Sequence, residues 1–415
     1  MKFSKLSQLF LVSIIGLVVA ALLTSCNIVT VDYLFVASSS GSGAGSAGQI
    51  QTYDLDEGSG ALRAGQASVP SGGSNPVSMA VAPDYTDLYA ANQGNNSVAH
   101  FAVSGSGVLT NKDTVTTAAP PVSIAVSPAS SYLYVVSGTS SATLTAYSLS
   151  SGTIGSPVAT IPLTLASVNS SFATDTIIPT GVNVLANGNA VYVTAYDQSA
   201  YYPGCIPTLT TPCIITSSAN PGWVFGFTVG SGGALTPATG SPWKAGIKPT
   251  AIASDPTNRF VYITDFASNE LIGYTVQNGN VLDFLLNGPF KTGNEPSAIT
   301  IDPRGLYIYV SNSLDSSVSA YTIALSTGTP SAALNVTGSQ TNSTDTQPVA
   351  ILVDQSLGRY VYTANHLGNS VSGFELNPNT GALTQTISTP YPTGNTPAAL
   401  ATIPHGNHAI QSVTP

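Results

Sequence analysis

Pro76-Val77-Ser78-Met79-Ala80-Val81, Leu88-Tyr89-Ala90-Ala91 and Ser97-Val98-Ala99-His100-Phe101-Ala102-Val103 are three short apolar runs separated by turn residues. Pro76 fixes its own φ and biases its predecessor toward extended backbone, so it opens a strand. Pro83-Asp84-Tyr85-Thr86 and Gln93-Gly94-Asn95-Asn96 read as turns, and the third run alternates with the period of two expected of a half-buried strand. Ser104-Gly105-Ser106-Gly107 then turns the chain into a fourth run around Val108. Four antiparallel strands in about 45 residues match one propeller blade.

The same marks recur seven times. Proline precedes a small apolar run at Pro76, Pro121, Pro179, Pro249, Pro296, Pro348 and Pro397, with spacings of 45, 58, 70, 47, 52 and 49 residues. An aromatic leads each second run, at Phe35, Tyr89, Tyr134, Tyr192, Tyr262, Tyr309 and Tyr362. Another closes each third run, at Tyr53, Phe101, Tyr147, Phe227, Tyr274, Tyr321 and Phe374. Six copies are continuous and the seventh is split. Pro397 to Leu400 has no strands after it, and Leu34 to Ala37 has no inner strand before it. Joining them closes the ring and leaves no open sheet edge. The predicted fold is all-β, a seven-bladed β-propeller over residues 33–404, closed by the C-terminal inner strand joining the N-terminal strands.

Composition agrees with a packed chain. Charged residues are 7% of the 415, against about 25% in an ordinary domain, while hydrophobic residues reach 43%. Ser, Thr and Asn must therefore supply solubility. The net charge of −9, with no basic stripe, argues against nucleic acid as a partner.

The N-terminus reads as an export signal over residues 1–25. Lys2 and Lys5 precede an apolar run from Leu9 to Leu23, which is too short and wrongly flanked for a stable spanning helix. It ends in Leu23-Thr24-Ser25-Cys26, which resembles the bacterial lipobox, and that resemblance implies lipidation of Cys26. Residues 26–32 then form a tether to a membrane, residues 405–415 a tail, and the chain is placed at the cell envelope, outside the cytoplasm. Cys205 and Cys213 are an even pair in an exported loop and are expected to form a local disulfide. No metal or cofactor motif stands out.

Tyr262-Ile263-Thr264-Asp265, Tyr309-Val310-Ser311-Asn312 and Tyr362-Thr363-Ala364-Asn365 resemble the Tyr-Val-Thr-Asn repeats of bacterial surface propellers. With Gly381-Ala382-Leu383-Thr384 as its outer hairpin, the whole blade resembles the seven-bladed lactonase family. That family includes the propeller type of 6-phosphogluconolactonase and the fungal muconate-lactonising enzymes. The resemblance implies the fold over about Val31 to Pro404 and a lactone chemistry; no family catalytic set maps onto this chain residue by residue.

Blade topology puts the inter-blade loops and the second-to-third-strand loops on one face, here the top. The gap within each aromatic pair measures those loops. It is 12 or 13 residues in five blades, 18 from Phe35 to Tyr53 and 35 from Tyr192 to Phe227. The two insertions are a flexible tract, Ser38 to Gly48, and a loop carrying Tyr196, Tyr201, Tyr202 and the cysteine pair. Lactone hydrolysis needs a base for water and a cation or donor for the oxyanion. On the top face His366 or Glu295 would be the base and Lys248 the electrostatic partner. Asp197, Tyr201, Tyr202, Asp265, Asn312 and Asn365 are candidate binding residues. Asp54, Asp56 and Glu57 have calcium-loop character but occupy an ordinary outer-hairpin turn. Arg259, Arg304 and Arg359 are expected as solvated charges on the bottom face. The leading expectation is a monomeric binding scaffold that takes a glycan, a small-molecule lactone or an envelope protein through its top loops. The alternative is a lactone or ester hydrolase in the central channel. A lone well-placed cation, Lys248, argues against a phosphorylated substrate.

Overall fold

In the computed structural model, residues 29–39, 41, 46–198 and 221–406 are described. Their strands form seven sheets arranged as a closed ring of blades. Blade 2 is the simplest, with Pro76–Val81, Asp87–Asn92, Ser97–Val103 and Leu109–Thr116 in antiparallel order from the channel outward. The inner strands of blades 3 to 7 are Pro121–Val126, Ile177–Val184, Pro249–Ser254, Pro296–Ile301 and Pro348–Val353. Blade 1 takes its inner strand, Asn395–Pro404, from the C-terminal end, where Phe35 faces Ala401 and Val36 faces Leu400. The seven-bladed ring and its split closure are as the repeat predicts.

Two expectations change in detail. Five sheets carry a fifth, short strand, such as Trp243–Lys244 or Phe290–Lys291, paired to the third strand near the top. Pro242, Pro289 and Pro390 interrupt the outer strand there, since proline cannot donate to a ladder. The flexible tract predicted from Ser38 begins and ends as strand: Ser38 pairs with Gln49 and Ser39 with Gly48, lengthening the hairpin of blade 1.

The core lies between blades. Phe35, Ala37 and Ile50 of blade 1 pack on Leu88, Ala90 and Phe101 of blade 2. Both faces of each blade are thus covered, which is why second strands such as Tyr360–Asn365 are buried at every position. The repeated aromatics do more than fill space. Second-strand hydroxyls donate to carbonyls in the outer turn of the next blade: Tyr89 to Gly152 at 2.6 Å, Tyr192 to Asn280 at 2.9 Å, Tyr262 to Gly328 at 2.6 Å, Tyr309 to Gly381 at 2.9 Å and Tyr362 to Gly60 at 2.7 Å. Third-strand hydroxyls reach backward, as Tyr53 does to Pro392 O and Tyr321 to Lys291 O, each at 2.5 Å. Tyr134 is buried in the same way, with no partner for its hydroxyl among the described residues.

The first hairpin of blades 5, 6 and 7 is organised by a buried carboxylate. Asp255, Asp302 and Asp354 each accept backbone N–H groups from the turn that follows, for example Leu306 N at 2.6 Å and Tyr307 N at 2.8 Å on Asp302. Of the bottom-face arginines, Arg259 and Arg359 are exposed as expected and Arg304 is half-buried. Arg304 pairs with Asp302 at 2.7 Å and donates to Gly358 O of the next blade at 3.1 Å, while Arg259 donates to Leu325 O at 2.6 Å. At the ring closure Asp32, fully buried, meets Ser356 of blade 7. Burial, then the nearby Asp354, pushes the Asp32 carboxyl up to about 8.

The contrast between two tyrosines is measurable. Tyr309→Phe leaves the Gly381 carbonyl without its donor and should cost about 1–2 kcal/mol in denaturant unfolding. Tyr134→Phe should be neutral or stabilising, because its hydroxyl satisfies nothing. The Asp32 shift has a sign as well. Between about pH 4 and 8 the folded chain holds a proton that the unfolded chain has released, so this group's contribution to stability is present at acid pH and fades as pH rises toward 8. Asp32→Asn should remove that decline from a melting-temperature series between pH 5 and 8.5.

Candidate functional site

All seven inner strands line a central channel of about 300 Å³. Its hydroxyls serve the fold. Thr250 donates to Pro296 O and Ser297 to Pro348 O, both at 2.7 Å, while Ser78 and Ser123 accept Ile124 N and Val182 N at 3.2 Å. Each of these bonds joins the inner strand of one blade to that of the next. The wall is therefore built of small residues with its hydroxyls engaged in the fold, and the reactive groups lie at the top mouth.

A repeated backbone pair builds that mouth. In blades 2, 5, 6 and 7 the residue after the second strand donates its N–H to the carbonyl of the residue before the inner-strand proline: Phe266 to Lys248 at 2.9 Å, Ser313 to Glu295 at 2.8 Å, His366 to Gln347 at 2.8 Å and Gln93 to Asn75 at 3.0 Å. Lys248, Glu295 and His366 thus stand in sequence around the rim, in blades 5, 6 and 7. The predicted trio does share one face.

Each of the three has a defined environment. The Lys248 ammonium sits 4.3 Å from the centre of the Phe266 ring and 5.9 Å from that of Tyr196. Burial lowers its pKa, and the charge of Glu295 opposes that shift. Glu295 holds a left-handed φ of 54°, fixed by its N–H to Asn269 Oδ1 at 2.8 Å and by Ser313, whose hydroxyl reaches both its carbonyl and its carboxylate. His366 Nδ1 lies 3.4 Å from Pro397 O. A carbonyl only accepts, so in the neutral ring Nδ1 is the nitrogen that donates to it and Nε2 the one that accepts.

The remaining candidates separate. Asp265, Asn312 and Asn365 are fully buried and act as latches beneath the rim. Asp265 accepts Ile247 N and Lys248 N, each at 2.8 Å, and burial raises its carboxyl despite those bonds. Asn312 accepts Gly293 N and donates to Ser317 and Ser319; Asn365 donates to Ser370 and Ser372 and accepts from Thr363. These contacts tie all three into the rim from beneath, and Asp265 also lines a pocket of about 220 Å³ with Lys244 and Glu270. The reason is the irregular pairing beside each proline, which turns the last residue of the second strand inward. Asp197 ends the second strand of blade 4, nearly buried; burial and then the neighbouring Asp197 raise the Asp175 carboxyl. Cys26, Tyr201, Tyr202, Cys205 and Cys213 lie outside the described residues. Asp56 caps its own turn through Ser59 N at 2.8 Å, and no cluster able to hold a metal occurs among the described residues. Asn75, Gln93, Ser313 and Gln347 were missed in the sequence, although each stands in the same repeat column as a residue that was chosen.

The family profile described as lactonase, 7-bladed beta-propeller, matches residues 33–174 and 236–412. The chain belongs to this family. The unmatched stretch contains the long top insertion of blade 4. Among curated protein sequences none matches. Among solved structures, the periplasmic gluconolactonase of Pseudomonas aeruginosa superimposes with a TM-score of 0.71 at 17% identity, covering 90% of this chain and 99% of that one. A proposed 6-phosphogluconolactonase from Bacteroides fragilis gives 0.67 at 17% identity, covering 90% and 98%. At such identity the likeness extends to the fold.

If Asp265 is a latch, Asp265→Ala should orphan the N–H groups of Ile247 and Lys248 and cost about 3 kcal/mol of stability. The loss should appear in urea unfolding with no ligand present, which a pure ligand-contact residue would not produce.

Proposed function

We propose that this chain hydrolyses an uncharged sugar lactone at the top mouth of the channel. The observation that carries the reading is the half-buried His366 on the rim, whose Nδ1 lies 3.4 Å from the acceptor Pro397 O, which makes Nε2 the nitrogen available to act as a base. Family membership favours lactone hydrolysis over the binding scaffold, which was the leading expectation from sequence and depends on residues outside the described set.

In this mechanism His366 Nε2 takes a proton from water as the water oxygen attacks the lactone carbonyl carbon. The carbonyl π pair moves onto oxygen, and the Lys248 ammonium stabilises that oxyanion. Glu295 keeps the lysine charged against its burial. Collapse of the intermediate breaks the bond to the ring oxygen, which takes the proton back from His366. The product is the open hydroxy acid. A single cation on this arc of the rim, in a chain of net charge −9, suits a neutral sugar ring better than a phosphorylated one. An extracytoplasmic setting accords with the export-like N-terminus and with the periplasmic gluconolactonase among the structural neighbours.

The test is hydrolysis of glucono-1,5-lactone by the purified chain, followed by pH-stat against the spontaneous rate. His366→Gln should lower kcat by about 100-fold and Lys248→Met by a similar factor. No turnover above the spontaneous rate, or full activity in His366→Gln, would refute the proposal.

A further inference from the structure

The channel does not end at its wall of small residues. At the bottom face, where blades 7, 1 and 2 meet, it continues into a second cavity of about 430 Å³, larger than the space above it. Met79, Val81, Leu352 and Leu400 form its apolar wall. Tyr85, Gln355 and Thr402 supply its polar side-chain atoms, and among the described residues no Lys, Arg, Asp or Glu lines it.

Tyr85 is the informative residue. The turn after the inner strand requires a left-handed residue in every blade that has one, and the position is filled by Ser130, Gly188, Asn258, Gly305 and Gly358, with φ between 50° and 72°. These are small or amide residues that tolerate the conformation. Blade 2 alone places a bulky aromatic there, with φ 62°. A tyrosine at such a φ is disfavoured, and strain of this kind persists where the side chain is wanted in that place. Its ring lies against the cavity. Its hydroxyl has no hydrogen-bond partner among the described residues, unlike the inter-blade tyrosines. Burial first, and Asp32 after it, raise the pKa of the Tyr85 hydroxyl, so it stays a neutral O–H facing the cavity.

We propose that this bottom cavity is a second binding site, separate from the top mouth, for an uncharged molecule with an alkyl body and a hydroxyl head that pairs with Tyr85. The apolar wall takes the body, and the absence of a cation excludes carboxylates and phosphates. The inference does not depend on lactone hydrolysis, since none of the residues on the rim takes part.

Isothermal titration of the purified chain with n-octanol, and separately with octanoate, tests it. Octanol should bind saturably, Tyr85→Phe should weaken it about tenfold, and Leu352→Trp, which fills the cavity, should abolish it. Circular dichroism and melting curves confirm that both variants fold, and Gln355→Leu provides a second polar deletion should Tyr85→Phe be unstable. Octanoate should bind at least tenfold more weakly than octanol. Absence of octanol binding to the wild type, unchanged binding in Leu352→Trp, or equal affinity for octanoate would each overturn the proposal.

Discussion

The bond from a second-strand tyrosine to a carbonyl in the outer turn of the next blade is the constraint from which the rest of this molecule follows. A blade covered on both faces has to be apolar on both, yet its outer turn carries backbone groups that need partners. Tyrosine resolves the conflict with one side chain. Its ring fills the space between blades, and its hydroxyl reaches the turn, as Tyr309 does at Gly381 O. Because the acceptor is a turn on the neighbouring blade, the bond sets the spacing and tilt between blades as well as filling the core.

Once the spacing is set, the centre has little freedom. Seven inner strands converging on one axis leave room only for small side chains, and the hydroxyls of Thr250, Ser297, Ser78 and Ser123 are absorbed in joining strands of adjacent blades. This also accounts for a chain with so few charges. Its interior surfaces are blade against blade, and its polar needs are met by hydroxyls, amides and backbone. Chemistry is displaced to the rim, where the chain passes from one blade to the next and identity is free to vary.

The repeat made the ring, its count and its split closure legible, because each depends on strand-length periodicity that survives in a single sequence. The rim was legible in part. Lys248, Glu295 and His366 follow from topology alone, since any residue before an inner-strand proline or after a second strand must lie there. What could not be read was direction. Asn312 and Asn365 close the same Tyr-x-x-Asn runs that suggest an exposed loop, yet an irregular residue pair beside Pro296 and Pro348 rotates them inward onto Ser317, Ser319, Ser370 and Ser372. Asp32 and Asp354 were missed for the opposite reason. Asp32 falls in the segment expected as a tether and Asp354 beside a turn, where a carboxylate reads as solvated, and only the closed ring shows that both are buried where blades 1 and 7 meet.

Rim residues vary in identity but not in placement, and this distinction explains how an otherwise uniform ring could carry a reaction. Glu295 shares its left-handed backbone with Asn75, Gln347 and Thr396 at the equivalent positions, so the conformation belongs to the repeat and not to the glutamate. A non-glycine residue held there costs about 1–3 kcal/mol. That cost is met locally by Asn269 and Ser313, which fix its backbone from both neighbouring blades. The same closure fixes Lys248 through Asp265 and His366 through Gln347. A side chain placed on such a carrier has its approach to the channel decided before any ligand arrives. Preorganisation of this kind is what electrostatic stabilisation of a transition state requires. It also means that substituting a rim residue can change the chemistry of the mouth while leaving the propeller intact.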